Sequence, residues 1–163
     1  MSKKSKGVLN LQAEYKFLRK KDVFSQIGGS AGPIKKDNFL HWSACFIGPI
    51  NTPYQGGLFY IEMKFDDNYP DSRPEVRMRT PTYHPNIDCT NGHICVDYIS
   101  SWKNTNNVAG IVNVVFDLLS NPNPANGYYS TDEKKAANFT SKYAYESQEY
   151  DWDKCWDKGW SNS

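Results

Sequence analysis

Two side chains in this 163-residue chain are placed to do chemistry together, the carboxamide of Asn86 and, nine positions later, the thiol of Cys95. They lie in His84-Pro-Asn86 and Gly92-His-Ile-Cys95, a stretch too rich in Pro, Gly and Asn to be helical. A thiolate is a strong nucleophile, and an amide NH₂ can stabilise the oxyanion forming on a carbonyl that the sulfur carries. A loop that folds Asn86 back over Cys95 would make and break thioesters with no metal or cofactor. The residues alone leave other readings open. A free cysteine is often a buried structural thiol, and an asparagine after proline often bonds the backbone of its own turn.

The elements that must position this pair can be read from periodicity. Residues 1–7 are polar and lysine-rich and are expected to form a flexible basic tail, with one domain spanning 8–163. Val8, Leu11, Tyr15 and Leu18 fall at helical spacing, and the glycine-rich run 28–33 is expected to end that helix. Strand-like runs follow at 34–36, 41–47, 58–65 and 75–79. Short turns between them suggest an antiparallel meander, and 58–65 has the alternation and aromatic content of a sheet strand. Residues 80–106 read as irregular, where functional groups tend to sit. Val108, Ile111, Val112, Val115, Leu118 and Leu119 give a second helix one broad apolar face. Asn121-Pro-Asn-Pro124 stops it, and Ser130 with Glu133 has capping-box spacing for a third. The expected class is α+β: N-terminal helix, four-stranded antiparallel sheet, irregular loop, C-terminal helices.

Composition narrows the partners. With 19 basic and 18 acidic side chains, no global field directs the chain to nucleic acid or a membrane. No apolar run is long enough to span a bilayer, and the start does not read as a signal peptide. Four scattered cysteines (Cys45, Cys89, Cys95, Cys155) are no disulfide framework, so a reducing cytosolic or nuclear setting is expected. Cys89, His93 and Cys95 lie within seven residues, but no second ligand pair accompanies them, so no metal is expected. Trp152, Trp156 and Trp160 recur every four residues, a stripe on one helix face that either packs on the body or offers a partner site.

The ordered motifs go further. Phe39-Leu-His-Trp42, Ile47-Gly-Pro49, Thr52-Pro-Tyr-Gln-Gly-Gly57, Tyr83-His-Pro-Asn-Ile87, Gly92-His-Ile-Cys-Val-Asp97, Trp102 and Asn121-Pro-Asn-Pro124 together resemble a ubiquitin-conjugating enzyme over roughly residues 8–148. The resemblance implies that Cys95 accepts ubiquitin as a thioester from an activating enzyme and passes it to a substrate lysine or a ligase cysteine. No cofactor is implied, since the activating enzyme uses the ATP. Asn86 becomes the oxyanion-stabilising group, while His84 and Pro85 build the loop. Asp97 is a candidate to orient the incoming lysine, because residues two apart in an extended segment point the same way. Conjugation of another ubiquitin-like modifier, or a non-catalytic ubiquitin-binding scaffold, is the alternative.

Several positions depart from the family pattern. Asp71 follows Tyr69-Pro70 where ligase docking commonly uses an aromatic, and Lys103-Asn-Thr105 follows Trp102 in place of Ser-Pro-Ala. An acid where a pocket expects an aromatic loses an anchor, so Asp71, Trp102 and Lys103 are expected to face a ligase of different preference. Asp66 and Arg73 replace two usual prolines. Asn126 stands where a second acidic residue is frequent, and an amide offers the lysine a hydrogen bond but no charge. Lys16, Arg19, Lys20 and Lys21 on the first helix are candidates to meet the activating enzyme, and Ser30-Ala-Gly-Pro33 resembles a segment bordering a second ubiquitin site in some relatives.

Overall fold

The computed structural model describes residues 3–88, 91–123, 127 and 133–144. Helix α1, Lys6–Lys21, leads through a 3₁₀ turn at Ser25–Ile27 into four strands: β1 Ser30–Lys35, β2 Asn38–Ile47, β3 Leu58–Lys64 and β4 Glu75–Met78. These form one antiparallel sheet in the order β1-β2-β3-β4. A long irregular segment follows, broken by the short helix α2, Asp97–Ser100. Helices α3, Val108–Ser120, and α4, Glu133–Tyr143, complete the described chain. The α+β class and the meander agree with the sequence reading.

Alternation along the strands sorts the two faces of the sheet. Trp42 pairs with Met63, Ala44 with Ile61 and Phe46 with Phe59, and all six are buried under the helices. Tyr15 of α1 meets the Trp42 ring edge-on at 5.7 Å, and Phe116 of α3 meets Phe46 in the same way at 5.4 Å. The opposite face carries Ser43, Cys45, Tyr60, Glu62 and Arg77. There Glu62 is buried and accepts hydrogen bonds from Arg79 at 2.9 Å and shares one with His41 at 2.6 Å. Burial alone would raise the Glu62 carboxyl. The Arg79 and His41 bonds outweigh that and hold it below its ordinary range.

Boundaries differ from the sequence reading where side-chain partners decide them. Helix α1 begins at Lys6 rather than Val8, because the Ser5 hydroxyl caps the Val8 N–H. Gly7, expected in the tail, is buried instead. Its N–H bonds the Asp67 carbonyl, and a Cβ there would lie 2.3 Å from the Asp66 oxygen. At the other end α1 stops at Lys21, well before the glycines, with Asp22 in the left-handed region at φ 49°. Strand β1 starts at Ser30 and bulges after Pro33, which has no N–H to give an edge ladder. The capping role read for Ser130 and the tryptophan stripe at 152, 156 and 160 lie outside the described residues.

One carboxylate ties the helices to the loops. Glu14 of α1 accepts from the Tyr69 hydroxyl at 2.7 Å, the Val108 N–H at 2.8 Å and the Asn10 amide at 2.8 Å. Burial raises its carboxyl, and these three donors partly offset the rise. No described helix is long and apolar enough to cross a membrane.

Trp42 is a fully buried indole in the contact between α1 and the sheet. Trp42→Ala should lower unfolding free energy by about 3–5 kcal/mol, read as a lower urea midpoint with unchanged slope.

Candidate active site

The segment carrying Asn86 and Cys95 folds as a small antiparallel clasp. Ile87 bridges to Ile94, the Cys95 N–H donates to the Asn86 carbonyl at 2.8 Å, and the Asp88 N–H donates to the His93 carbonyl at 2.9 Å. Ile87 and Ile94 point inward and are buried, anchoring the clasp to the core. Across Arg77–His93 it extends the sheet beyond β4, with the Met78 N–H donating to the Gly92 carbonyl at 2.8 Å. Gly92, at φ 74°, makes the turn that a residue with a Cβ would strain to make. The two residues singled out from sequence are thus joined through backbone, and Cys95 itself is half-buried with a free thiol.

His84 holds the base of the clasp. Its Nε2–H donates to the Leu118 carbonyl at 2.8 Å, near the end of α3, so its Nδ1 is left to accept the Asn86 N–H at 3.0 Å. Burial pushes this imidazole down to about 4, against the opposing effect of the Leu118 carbonyl. A neutral histidine with both nitrogens committed to backbone has neither proton nor lone pair to give a substrate. The Tyr54 ring lies 5.6 Å from the imidazole, and its hydroxyl donates to the Tyr83 carbonyl at 2.7 Å. Pro85 is buried beside them.

Asn86 is fully buried, and its side chain grips the chain beyond α3 at both ends. Nδ2 donates to the Asn123 carbonyl at 2.8 Å, and Oδ1 accepts the Asn123 N–H at 2.8 Å. The carboxamide therefore bonds neighbouring backbone, across 37 positions rather than within its own turn. An amide NH₂ has two hydrogens, and this clamp uses one of them.

The other candidates are spread around the clasp. Val96 is extended at φ −149°, ψ 138°, but Asp97 is already the first residue of α2, so the extended path from Cys95 ends before Asp97. Asp97 is exposed. Asn126 lies outside the described residues, as do Cys89 and Cys155. Among the described residues no group of three His, Cys, Asp or Glu side chains could hold a metal ion. Trp102 is half-buried, its indole N–H donating to the Pro70 carbonyl at 2.7 Å and its ring 6.0 Å from Tyr69 and from Tyr98. Asp71 is exposed and pairs with Lys6 of α1 while accepting from the Asn104 amide at 3.1 Å. The Lys6 ammonium, with help from Asn104, holds its carboxyl below the usual range. Lys103 beside them is exposed.

Sequence reasoning missed three partners here. The carbonyl of Leu118 and the backbone of Asn123 bear no side-chain signature, since any residue supplies them. Lys6 lies in the expected tail, 65 positions from Asp71, and carries no sequence signal of that pairing.

The fold and clasp define the class: an α+β domain that presents a half-buried thiol on a loop locked to the end of a helix. The ubiquitin-conjugating enzyme family model matches residues 10–151. A Plasmodium yoelii crystal structure, provisionally assigned as a ubiquitin conjugating enzyme, is 29% identical with a TM-score of 0.76, covering 90% of this chain and 100% of that one. The chain belongs to the ubiquitin-conjugating enzyme family.

The buried neutral His84 makes stability depend on pH. Its folded pKa, about 4, lies below the usual 6.5, so the unfolded chain takes up a proton first as pH falls. Its contribution is intact above about 6.5 and shrinks below that, with a loss of about 2 kcal/mol expected by pH 5. Urea unfolding of His84→Gln between pH 7.5 and 5 should show a correspondingly flatter slope than the parent protein.

Proposed function

We propose that this protein carries ubiquitin as a thioester on Cys95 and transfers it to an amine. The observation that carries the reading is the clasp, which holds a half-buried thiol one backbone hydrogen bond from Asn86. In the first step the Cys95 thiolate attacks the carbonyl of the modifier's C-terminal thioester on an activating enzyme. A tetrahedral oxyanion forms, collapses and expels the activating enzyme's thiolate, so one thioester replaces another. Because the donor is already activated, the cysteine need not be unusually acidic.

In the second step a substrate lysine, as its neutral amine, attacks the Cys95 thioester. The amine's proton leaves to solvent or a nearby base, and collapse of the oxyanion expels the Cys95 thiolate and leaves an isopeptide bond. Alternatively, a ligase cysteine takes the modifier by a second thioester exchange. The Asn86 hydrogen not given to Asn123 is the one available to the oxyanion, and Asp97 is the exposed carboxylate nearest in sequence to meet the lysine. Lys6, Asp71 and Asn104 join α1 to two loops, beside Trp102 and Lys103. A ligase docking there meets charge and amide groups where an aromatic anchor is usual. A reducing cytosol or nucleus suits an enzyme that works through a free thiol.

Incubation with ubiquitin, its activating enzyme and ATP should give a reductant-sensitive adduct, absent in Cys95→Ala and converted to a reductant-resistant ester in Cys95→Ser. An adduct that persists in Cys95→Ala would remove the assignment. No adduct with ubiquitin but one with another modifier would change the cargo and keep the chemistry. For Asn86→Ala, charging should fall only a few-fold while discharge to lysine falls by about 10²–10³. Equal losses in both steps, alongside a lowered melting temperature, would leave Asn86 as a clamp alone.

A further inference from the structure

Two loops carry the groups around Trp102: the loop after β3, with Asp71, and the loop after α2, with Lys103 and Asn104. Both are fastened to the same carboxylate. Glu14 Oε2 accepts from the hydroxyl of Tyr69, two positions before Asp71, at 2.7 Å. Glu14 Oε1 accepts from the N–H of Val108, four positions after Asn104, at 2.8 Å. Val108 is the first residue of α3, so its N–H has no partner within the helix. Tyr69 and Val108 are fully buried, and losing either bond leaves a buried donor without a partner. Between these anchors the loops meet through the Trp102 indole on the Pro70 carbonyl and the Asn104 amide on Asp71.

A cleft of about 300 Å³ between α1 and the start of α3 reaches the carboxylate, walled by Phe17, Leu18 and Ala109. It gives water and protons a path to a group that is otherwise enclosed. Facing Glu14 are Asn10 from its own helix, Tyr69 from the first loop, and Asn107, Val108 and Ala109 from the start of α3. Of these only Tyr69 titrates, and burial together with Glu14 keeps it protonated, with Tyr98 of α2 acting in the same direction. Ionised, Glu14 makes three charge-assisted bonds, each roughly twice as strong as a neutral one. Protonation removes that charge and makes the carboxyl itself a donor among donors.

We propose that Glu14 is a positioning residue for ligase-dependent transfer, its carboxylate fixing the spacing between the loop that carries Asp71 and the loop that carries Lys103 and Asn104. The proposal rests on reading that surface as the ligase contact and names what sets its shape. Glu14 acts through Tyr69 and Val108. Burial raises its carboxyl, so it takes up a proton at a higher pH than an exposed glutamate. The spacing is held above that point and released below it.

The test compares the full chain with Glu14→Gln, which keeps the shape and removes the charge. Both are charged with ubiquitin, and discharge stimulated by a RING-type ligase domain is divided by discharge to free lysine in the same preparation. At pH 7.5 the ratio should be about tenfold lower in Glu14→Gln, the size of one lost anchor contact. In the parent the ratio should fall as pH is lowered from 7.5 to 5, and in Glu14→Gln it should stay flat. His84 is common to both proteins, so its effect cancels. Equal ratios or parallel pH profiles, with a ligase domain that stimulates the parent, would overturn the positioning role and leave the ligase reading standing. Amide shifts of the uncharged parent give a second readout that needs neither ligase nor variant. Asp71, Lys103 and Asn104 should shift at the same pH as Tyr69 and Val108, above the pH at which the Asp71 carboxyl, held low by Lys6, titrates. Loops that shift independently, or not at all, would overturn the proposal even if Glu14→Gln failed to fold. Joint shifts in a protein that no RING-type domain stimulates would overturn the ligase role and leave the loop spacing.

Discussion

The bidentate bond between the Asn86 carboxamide and the backbone of Asn123 is the join on which the site depends. Asn86 belongs to an irregular loop, which by itself has no reason to hold one shape. Asn123 follows a 13-residue apolar helix whose burial against the sheet fixes it firmly. By gripping Asn123, and by offering its carbonyl to the Cys95 N–H, Asn86 transmits the position of the helix to the thiol. His84 repeats the arrangement one turn away through the Leu118 carbonyl. Both groups are buried, so a broken bond leaves a desolvated polar atom without compensation, costing about 1–3 kcal/mol. That cost is what keeps the clasp in one conformation.

This arrangement reconciles the two readings that an asparagine after proline allows. A side chain bonded at both ends is a structural element, and a side chain with one hydrogen to spare is still a donor. A donor that is held in place before the reaction needs no reorganisation when charge develops, which is the condition for strong oxyanion stabilisation. The clamp and the proposed catalytic role thus support one another. His84 differs because its two nitrogens are both consumed and burial keeps it neutral, which leaves it the role of a strut.

The surface around the site is built by long-range pairing of exposed groups. Lys6, Asp71 and Asn104 come from a helix and two loops, elements that Glu14 and the Trp102–Pro70 bond also tie together. Exposed pairs of this kind add little stability. Their consequence is chemical: a face where the family commonly offers an aromatic contact offers charge and amide groups instead.

Much of this was legible from sequence because its cause is local. Alternation in 58–65 and the helical spacing of Val108, Ile111, Val115 and Leu118 each follow from backbone sterics and one-sided burial. Asn86 and Cys95 stood out by residue type and by the ordered motifs around them. What could not be read is what depends on backbone atoms far away in the chain. The tautomer of His84 is set by the Leu118 carbonyl, and the grip of Asn86 is set by Asn123. The entry of Lys6 and Gly7 into α1 is set by Ser5 and by the backbone at Asp66 and Asp67. Carbonyls and amides are the same in every residue, so their positions carry no signal in the sequence. The sequence determined which groups exist and which segments are helix or strand; only the packing of α3 and α1 on the sheet decided which of those groups meet.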